Sequence, residues 1–196
     1  MRPNDKKIAE PDKTNQEINT FTLDDGRQVM IRSIRPDDTE LLVQLFNRLS
    51  DRSKRLRFHA SVEHLSPQQI QEEAETLANI KPQRDAALVA TLEENSAEQI
   101  VAVVRFSRAN PTDTLAEIAM LVRDDFQNQG LGTYMTDRVT QIARSMGVQR
   151  FVALIIPENR PVLRIFEKLG LPTHQDKYIG ETQLSVEINR AKNKRL

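Results

Sequence analysis

The segment "RDDFQNQGLGTYM", Arg123 to Met135, joins an apolar run to a stretch with helical spacing. Gly130 and Gly132 flank one leucine, amide side chains precede them, and a helix is predicted to begin near Leu131. Glycines let a ligand approach the backbone closely, and the first N–H groups of a helix attract anions together with the helix dipole. The segment therefore predicts an anion-binding loop, although a helix-entry loop without a ligand would have the same spacing.

Upstream of this loop, the sequence predicts a hairpin, three helices and then three strands. Asp25-Gly26 is typical of a tight hairpin turn, and Ser66 followed by Pro67 marks a helix start. The first helix is indicated by apolar residues at helical spacing: Leu41, Leu42, Leu45, Phe46 and Leu49. "SDRSKRLRF" reads as a second, short helix, and the strands are "DAALVATLEE", "EQIVAVVRFS" and "TLAEIAMLV".

Downstream of the loop, an amphipathic helix is predicted to stop at Gly147. A strand in "QRFVALII", a helix in "NRPVLRIFEKLG" and one or two strands in "KYIGETQLSVEI" follow. The order β-α-α-α-β-β-β-α-β-α-β predicts an α/β fold in which a mixed sheet carries helices on its faces.

The composition excludes several classes of protein. The 196 residues carry no formal net charge and 5% aromatic residues, which argues against nucleic-acid binding. Because there is no cysteine, thiolate chemistry and cysteine-ligated metals are excluded, and the histidines show no metal spacing. No signal-peptide pattern or run of 18 apolar residues is present, so we expect a cytoplasmic protein without a membrane segment. Whether it is a monomer or a dimer is left open.

The chain divides by composition into one domain and two polar ends. Residues 1–18 are charged and aperiodic and are predicted to form a flexible tail. Residues 19–190 are expected to form the domain, and residues 191–196 a basic C-terminal end.

Two common phosphate loops do not match the glycine segment. A P-loop requires Gly-Lys-Ser/Thr after four spacers, which the sequence lacks. The dinucleotide fingerprint requires a third glycine where Met135 stands. What remains is Q-x-x-G-x-G, formed by Gln127, Gly130 and Gly132. This pattern, after three strands and before a helix, resembles the acyl-CoA pyrophosphate loop of the GNAT superfamily of N-acetyltransferases.

The resemblance extends from about Phe21 to Ile188 and is strongest to bacterial protein lysine acetyltransferases. The stretches "RSIRPDD", "LSDRSKRLRF" and "AEIAMLVRDDFQNQGLG" are similar to that group. The resemblance implies a mostly antiparallel central sheet with helices on both faces, acetyl-CoA as acyl donor and a protein lysine as acceptor. The group often carries a fused cyclic-nucleotide-binding domain or an ADP-forming acyl-CoA synthetase, for which we expect no room in 196 residues.

The resemblance also implies a donor site. The loop residues that would contact the pyrophosphate are Gln127, Asn128, Gln129, Gly130, Leu131, Gly132 and Thr133. The backbones of Leu121 and Val122 would bind the pantetheine arm like an added strand. Asn159 would bind the same arm, although as a residue before Pro161 it is equally suited to cap a helix.

Glu117 is the candidate catalytic residue. It stands among apolar neighbours in "LAEIAMLV", where a carboxylate is costly unless it is paired, hydrated or used. It lies thirteen residues before Gly130, as does the catalytic glutamate of the lysine acetyltransferases that this chain resembles. A general base is needed because an amine with a pKa of about 10.4 must lose a proton before it attacks a thioester. Partial burial would adapt the carboxylate to this role. The alternative is a charge on a solvent-facing side of the strand.

Several features leave alternatives open. Phe166 occupies the position at which many relatives have a tyrosine suited to protonating the leaving thiolate, and Tyr134 and Tyr178 are weak substitutes. The run "RSKRLR", residues 52–57, suits a solvated helix face, a contact with an acidic substrate or the 3′-phosphate of coenzyme A. The favoured function is acetyl transfer to a protein lysine. The alternatives are acetylation of a small-molecule amine and a non-catalytic acyl-CoA sensor.

Overall fold

The computed structural model describes residues 19–58 and 65–189, so the predicted tail at 1–18 and the basic end at 191–196 lie outside the described residues. Its strands are β1 (Asn19–Thr22), β2 (Gln28–Ser33), β3 (Ala86–Glu94), β4 (Ala97–Ser107), β5 (Leu115–Val122), β6 (Arg150–Ile155), β7 (Thr173–Lys177) and β8 (Thr182–Glu187). Its α-helices are α1 (Thr39–Asn47), α2 (Asp51–Phe58), α3 (Pro67–Ala78), α4 (Leu131–Ser145) and α5 (Arg160–Lys168).

All eight strands join one mixed sheet in the order β1-β2-β3-β4-β5-β6-β8-β7. Neighbouring strands run antiparallel except β5 and β6, which run parallel because the chain crosses over through α4 between them. The predicted α/β fold with a mixed, mostly antiparallel sheet is confirmed.

Helices cover both faces of the sheet and bury two separate apolar clusters. On one face, α4 and α5 pack over the centre and contribute the fully buried Leu131, Met135, Val139 and Phe166. On the other face, α1 and α3 cover β3 and β4 through residues that include Leu42, Leu45 and Ala78. The helical spacing read from the sequence of α1 therefore does correspond to a buried face.

Local turn chemistry explains several element boundaries. Ser66 accepts a hydrogen bond from the Gln69 N–H at the start of α3, with Pro67 in the first turn. Gly26 has a φ of 87° in the predicted β1–β2 turn, and Gly147 has a φ of 84° just after α4. Within the described residues, no helix is long and apolar enough to cross a membrane.

The C-terminal strands begin earlier than the sequence pattern predicts. The segment from Lys177 onwards was expected to hold one or two strands, whereas β7 spans Thr173–Lys177 and Tyr178 to Gly180 lie in the turn before β8. All five residues of β7 are exposed because it is an edge strand. Such a strand has no alternation of apolar and polar residues, so it left no periodic signal.

The turn between β3 and β4 offers a test of the hairpin geometry. Asn95 and Ser96 both have positive φ, 53° and 61°, as a type I′ turn requires. We expect Ser96→Gly to raise the free energy of unfolding by about 0.5–1 kcal/mol, because glycine adopts this conformation without a steric penalty. Urea unfolding measures the change. Ser96→Val should lower stability instead, and a gain with valine would contradict the turn assignment.

Candidate functional site

The central feature of the site is the point at which β5 and β6 separate. They pair only from Leu115 opposite Arg150 to Glu117 opposite Val152. Beyond this point β5 continues to Val122 beside β4, while β6 continues to Ile155 beside β8. The diverging strands open a cleft of about 580 Å³, which α4 and α5 also line. A sheet that splits in this way exposes unpaired backbone groups in its interior.

The hydrogen-bond alternation of β5 identifies which backbone groups face the cleft. The Arg123 N–H donates to Val101 O across the β4–β5 ladder at 2.8 Å. Because hydrogen-bonded pairs recur every second residue in an antiparallel ladder, Leu121 also bonds to β4, opposite Val103. The N–H and C=O groups of Met120 and Val122 therefore point away from β4 and into the cleft. Of the two residues predicted to bind a pantetheine arm, Val122 has its backbone there.

The glycine loop presents free N–H groups at the wide end of the cleft. Gly130, at the N-terminus of α4, has a φ of 80°, which favours glycine. The first hydrogen bond of the helix runs from the Tyr134 N–H to Gly130 O, so the N–H groups of residues 131–133 precede the helical ladder. A Cβ at Gly132 would lie 3.3 Å from Ile165 and 3.7 Å from Val122, both of which line the cleft. The loop thus has the free donors and the space that an anion needs.

Two amide side chains of the loop make contacts within the protein. Gln127 Nε2 donates to Val122 O at 2.9 Å and to Ser53 Oγ at 3.0 Å. Gln129 Nε2 donates to Asp125 O at 3.1 Å. Asn128, with a positive φ of 61°, lies exposed at the cleft. The Gln127 side chain therefore connects the loop to β5 and α2.

A carboxylate strengthens the connection between the loop and α2. Asp124 accepts hydrogen bonds from the Ser50 N–H and hydroxyl at 3.0 and 2.6 Å and from the Ser53 hydroxyl at 2.7 Å. Burial acts to raise the pKa of Asp124, but the hydrogen bonds from Ser50 and Ser53 outweigh it and leave this pKa below its ordinary value. The charged form of Asp124 is therefore favoured where the loop meets α2.

Asn159 connects α5 to α2 on the opposite wall of the cleft. Its Nδ2 donates to Leu56 O at 3.2 Å. It occupies the N-cap position of α5 but makes no side-chain capping bond, so the capping interpretation does not hold in this structure. Asn159 lines the cleft, and its side-chain carbonyl has no hydrogen bond to the protein within residues 19–58 and 65–189.

Glu117 lies at the last paired position before the strands diverge and lines the cleft. Its side chain is exposed, whereas its neighbours Ala116 and Ile118 are buried on the other face. Of the two alternatives left open by the sequence, the solvent-facing position therefore describes this side chain, and partial burial does not. The reason is the two-residue alternation of β5, which places Glu117 on the face that α1 and α3 leave uncovered.

An adjoining cavity of about 310 Å³ lies on the same face as Glu117, between β4, β5, α1 and α3. Most of its walls are apolar side chains, including Leu45, Phe46 and Leu77. Arg57, at the end of α2, lines both this cavity and the cleft. Burial and the nearby Arg105 together lower the pKa of Arg57 from its ordinary value, while Glu117 and Glu73 act in the opposite direction.

The residues considered for protonation of a leaving thiolate do not reach the cleft. Phe166 is fully buried in the cluster beneath α5. The Tyr134 ring packs on Phe21 with centroids 4.8 Å apart, and its hydroxyl accepts from Arg138. Tyr178 is 61% exposed in the β7–β8 turn.

Sequence reasoning missed two cations that line the cleft near the glycine loop. Arg164 and Lys168 lie four residues apart on α5 and are exposed. Their spacing is the signal that would have placed them on one helix face. They bring positive charge to the wall opposite the N-terminus of α4, where it favours a phosphorylated ligand.

Residues 28–172 match the family model for the Acetyltransferase (GNAT) domain, and the chain therefore belongs to the GNAT family. It is an acyl-CoA-dependent N-acetyltransferase, as its membership and its relatives' names support. The split between β5 and β6, with the glycine loop at its wide end, fits the acyl-CoA that this fold binds.

Relatives of known name agree with this assignment. Acetyltransferase PA5475 of Pseudomonas aeruginosa is 29% identical over 79% of this chain and 81% of its own length. Acetyltransferase Pat of Mycolicibacterium smegmatis is 34% identical, but over 39% of this chain and 23% of its own length. The crystal structure of the GNAT domain of S. lividans PAT is 26% identical and superimposes with a TM-score of 0.75, covering 87% of this chain and 96% of that domain.

We expect Gly132→Val to weaken acetyl-CoA binding by at least about tenfold, because the new side chain occupies space at the head of α4. Titration calorimetry with acetyl-CoA measures the dissociation constant. The contact with Ile165 could also disturb the fold, so the double variant Gly132→Val/Ile165→Ala provides the control. Unchanged affinity in both variants would remove the loop from the donor site.

We expect Asp124→Asn to lower the free energy of unfolding at pH 7 by about 1 kcal/mol, since its charge-assisted hydrogen bonds are partly exposed. The pKa of Asp124 is lower in the folded chain than in the unfolded chain. Its contribution is therefore present at neutral pH and is lost as the pH falls below about 4.

Urea unfolding between pH 3 and pH 7 measures this difference, with Asp24→Asn as the control at an exposed aspartate. The parent and Asp124→Asn curves should converge at the acidic end. A gap that stays constant with pH would show that the charge of Asp124 does not contribute.

Proposed function

We propose that this chain transfers an acetyl group from acetyl-CoA to the ε-amine of a protein lysine, with Glu117 as the general base. The observation that carries the proposal is the position of Glu117. It stands where β5 and β6 diverge, lines the donor cleft and is open to solvent on the other side. A carboxylate at this point can lie next to a thioester that is bound in the cleft and next to an amine that approaches from solvent.

The cleft has the length and the donors for the acyl donor. Five strand residues separate Glu117 from Val122, a distance of roughly 16 Å. An extended pantetheine arm is of comparable length, so a pyrophosphate held by residues 128–133 allows the thioester to lie beside Glu117. The N–H and C=O groups of Met120 and the N–H of Val122, which point away from β4, supply partners for the amides of the arm, and Asn159 supplies a side-chain carbonyl.

The chemistry requires a proton acceptor at this position. At pH 7, deprotonating a lysine ammonium costs about 4–5 kcal/mol. Glu117 takes this proton, directly or through a water, as the amine nitrogen bonds to the acetyl carbon and the carbon–sulfur bond breaks. The thiolate takes a proton from solvent, since Phe166 has none to give and is buried. Without a cysteine to carry the acetyl group, direct attack within a ternary complex is the route favoured.

The open face of the sheet supports a macromolecular acceptor. Helices α1 and α3 cover β3 and β4, whereas Leu154 on β6 is 52% exposed and β7 is exposed along its length. A lysine on the surface of a folded partner can therefore approach Glu117 without first entering an enclosed cavity. The lysine acetyltransferase resemblance of the sequence points to the same acceptor.

A small-molecule amine is the second candidate acceptor. The observation that favours it is the apolar cavity of about 310 Å³ beside Glu117, which suits a compact amphipathic amine. Incubating the protein with acetyl-CoA, a lysine-containing protein mixture and a panel of free amines, followed by mass spectrometry, separates the two. Turnover of free amines without protein acetylation would reject the protein-lysine proposal.

We expect Glu117→Gln to reduce acetyl transfer at pH 7 by roughly 10²–10⁴ because the proton acceptor is lost. Binding of acetyl-CoA should change little, since the loop and the Val122 backbone are intact. Transfer should recover in part as the pH rises and free amine becomes abundant. Steady-state kinetics between pH 6 and pH 10, with acetyl-CoA binding measured in parallel, provides the readout.

Glu93→Gln is the matched control, because Glu93 is also an exposed glutamate on a strand but lies away from the cleft. Its activity should equal that of the parent. Full activity in Glu117→Gln would mean that the amine proton leaves by another route. Loss of folding in that variant would instead identify Glu117 as a structural charge.

A further inference from the structure

Two arginines face the acceptor side of the site and have no ion-pair partner among the described residues. Arg105 on β4 stands opposite Ala119, two residues along β5 from Glu117 and on the same face of the sheet. Arg57 reaches this face from α2 and lines both the cleft and the apolar cavity. Neither guanidinium has a hydrogen bond or ion pair within residues 19–58 and 65–189; that of Arg57 lies over the neighbouring Phe58 ring, 5.0 Å from its centroid.

This arrangement is unusual for arginines that are half-buried. Two buried arginines show the contrast, because both form ion pairs: Arg32 pairs with Asp38, and Arg123 pairs with Glu94 and Asp125. Arg57 and Arg105 instead lie close enough to repel each other, and burial adds to the cost. Glu117 and Glu73 are near but form no ion pair with either of them. A bound anion would offset both the repulsion and the desolvation.

We propose that Arg57 and Arg105 form a carboxylate subsite, so that the preferred acceptor carries a carboxylate at a fixed distance from the amine it presents to Glu117. The inference rests on the proposed function, because it takes Glu117 as the position of the reacting amine.

The strand geometry sets the distance between the two groups. Two residues along β5 correspond to about 7 Å, which is the separation expected between the reacting amine and the carboxylate. An acidic side chain beside the acceptor lysine can reach this position, as can the carboxylate of a small amino acid. The apolar walls of the cavity, which include Phe46, Phe58 and Leu121, pack the methylene groups between the two charged ends.

The test compares matched ligands that differ only in the charge of one group. The first pair is a capped tetrapeptide with glutamate or glutamine after its lysine, and the second pair is aminocaproate and its amide. Each ligand is titrated calorimetrically into the full chain saturated with coenzyme A. We expect the carboxylate to bind roughly 10- to 100-fold tighter than the amide in at least one pair, since charge-assisted hydrogen bonds to arginine are strong.

The pair that is discriminated identifies the source of the carboxylate. Discrimination between the peptides indicates an acidic neighbour of a protein lysine, and discrimination between the small amines indicates a free amino acid. Arg57→Gln and Arg105→Gln should each reduce this preference, so that the ratio of the two dissociation constants within a pair approaches one. Arg52→Gln, an exposed arginine on α2 away from both cavities, should retain it.

The same ligands then separate the subsite from the proposed reaction. Equal affinity within both pairs, or a preference retained in both variants, would overturn the subsite even if acetyl transfer is observed. A preference lost in the variants establishes the subsite by binding alone. If no amine were acetylated while that preference was present, the proposed function would fail and the carboxylate subsite would stand.

Discussion

The candidate site depends on the point at which the short parallel pairing of β5 and β6 ends. Strands β5 and β6 are held together over three residue pairs, ending at Glu117 and Val152, and then each follows its other neighbour. Backbone groups left unpaired inside a sheet are costly unless they find partners. The gap therefore creates both a space and a demand for hydrogen bonds, and the glycine loop at its wide end adds free N–H donors. A long polar donor that ends in phosphates meets all of these requirements at once.

Helix α2 forms hydrogen bonds to both walls of the gap between β5 and β6. On one side, Gln127 and Asp124 bind Ser53, which connects the loop and the end of β5 to the helix. On the other side, Asn159 at the start of α5 binds Leu56 O. The same helix carries Arg57 in its last turn, and Arg57 lines the cleft together with Glu117. Helix α2 thus contacts both walls of the cleft, and in the proposed function it would contribute to the donor and the acceptor sides together.

The sequence predicted the parts of the fold that have a periodic or turn signal. The hairpin at Gly26, the N-cap at Ser66 and the glycine loop were all placed correctly because local chemistry determines them. The exposed strand β7 was missed because its polar residues carry no alternation. The exposure of Glu117, the bond from Asn159 to α2 and the approach of Arg57 to Arg105 depend on tertiary packing between distant segments. No spacing within one segment encodes such contacts.

The most direct test of the central claim is residue-resolved amide hydrogen exchange, measured by NMR with and without coenzyme A. If the split between β5 and β6 is the donor site, the amides of Met120, Val122 and residues 131–133 should gain protection on binding. The Leu121 amide, which already bonds to β4, should change little. Protection confined to other strands, or equal gains along all of β5, would contradict the account.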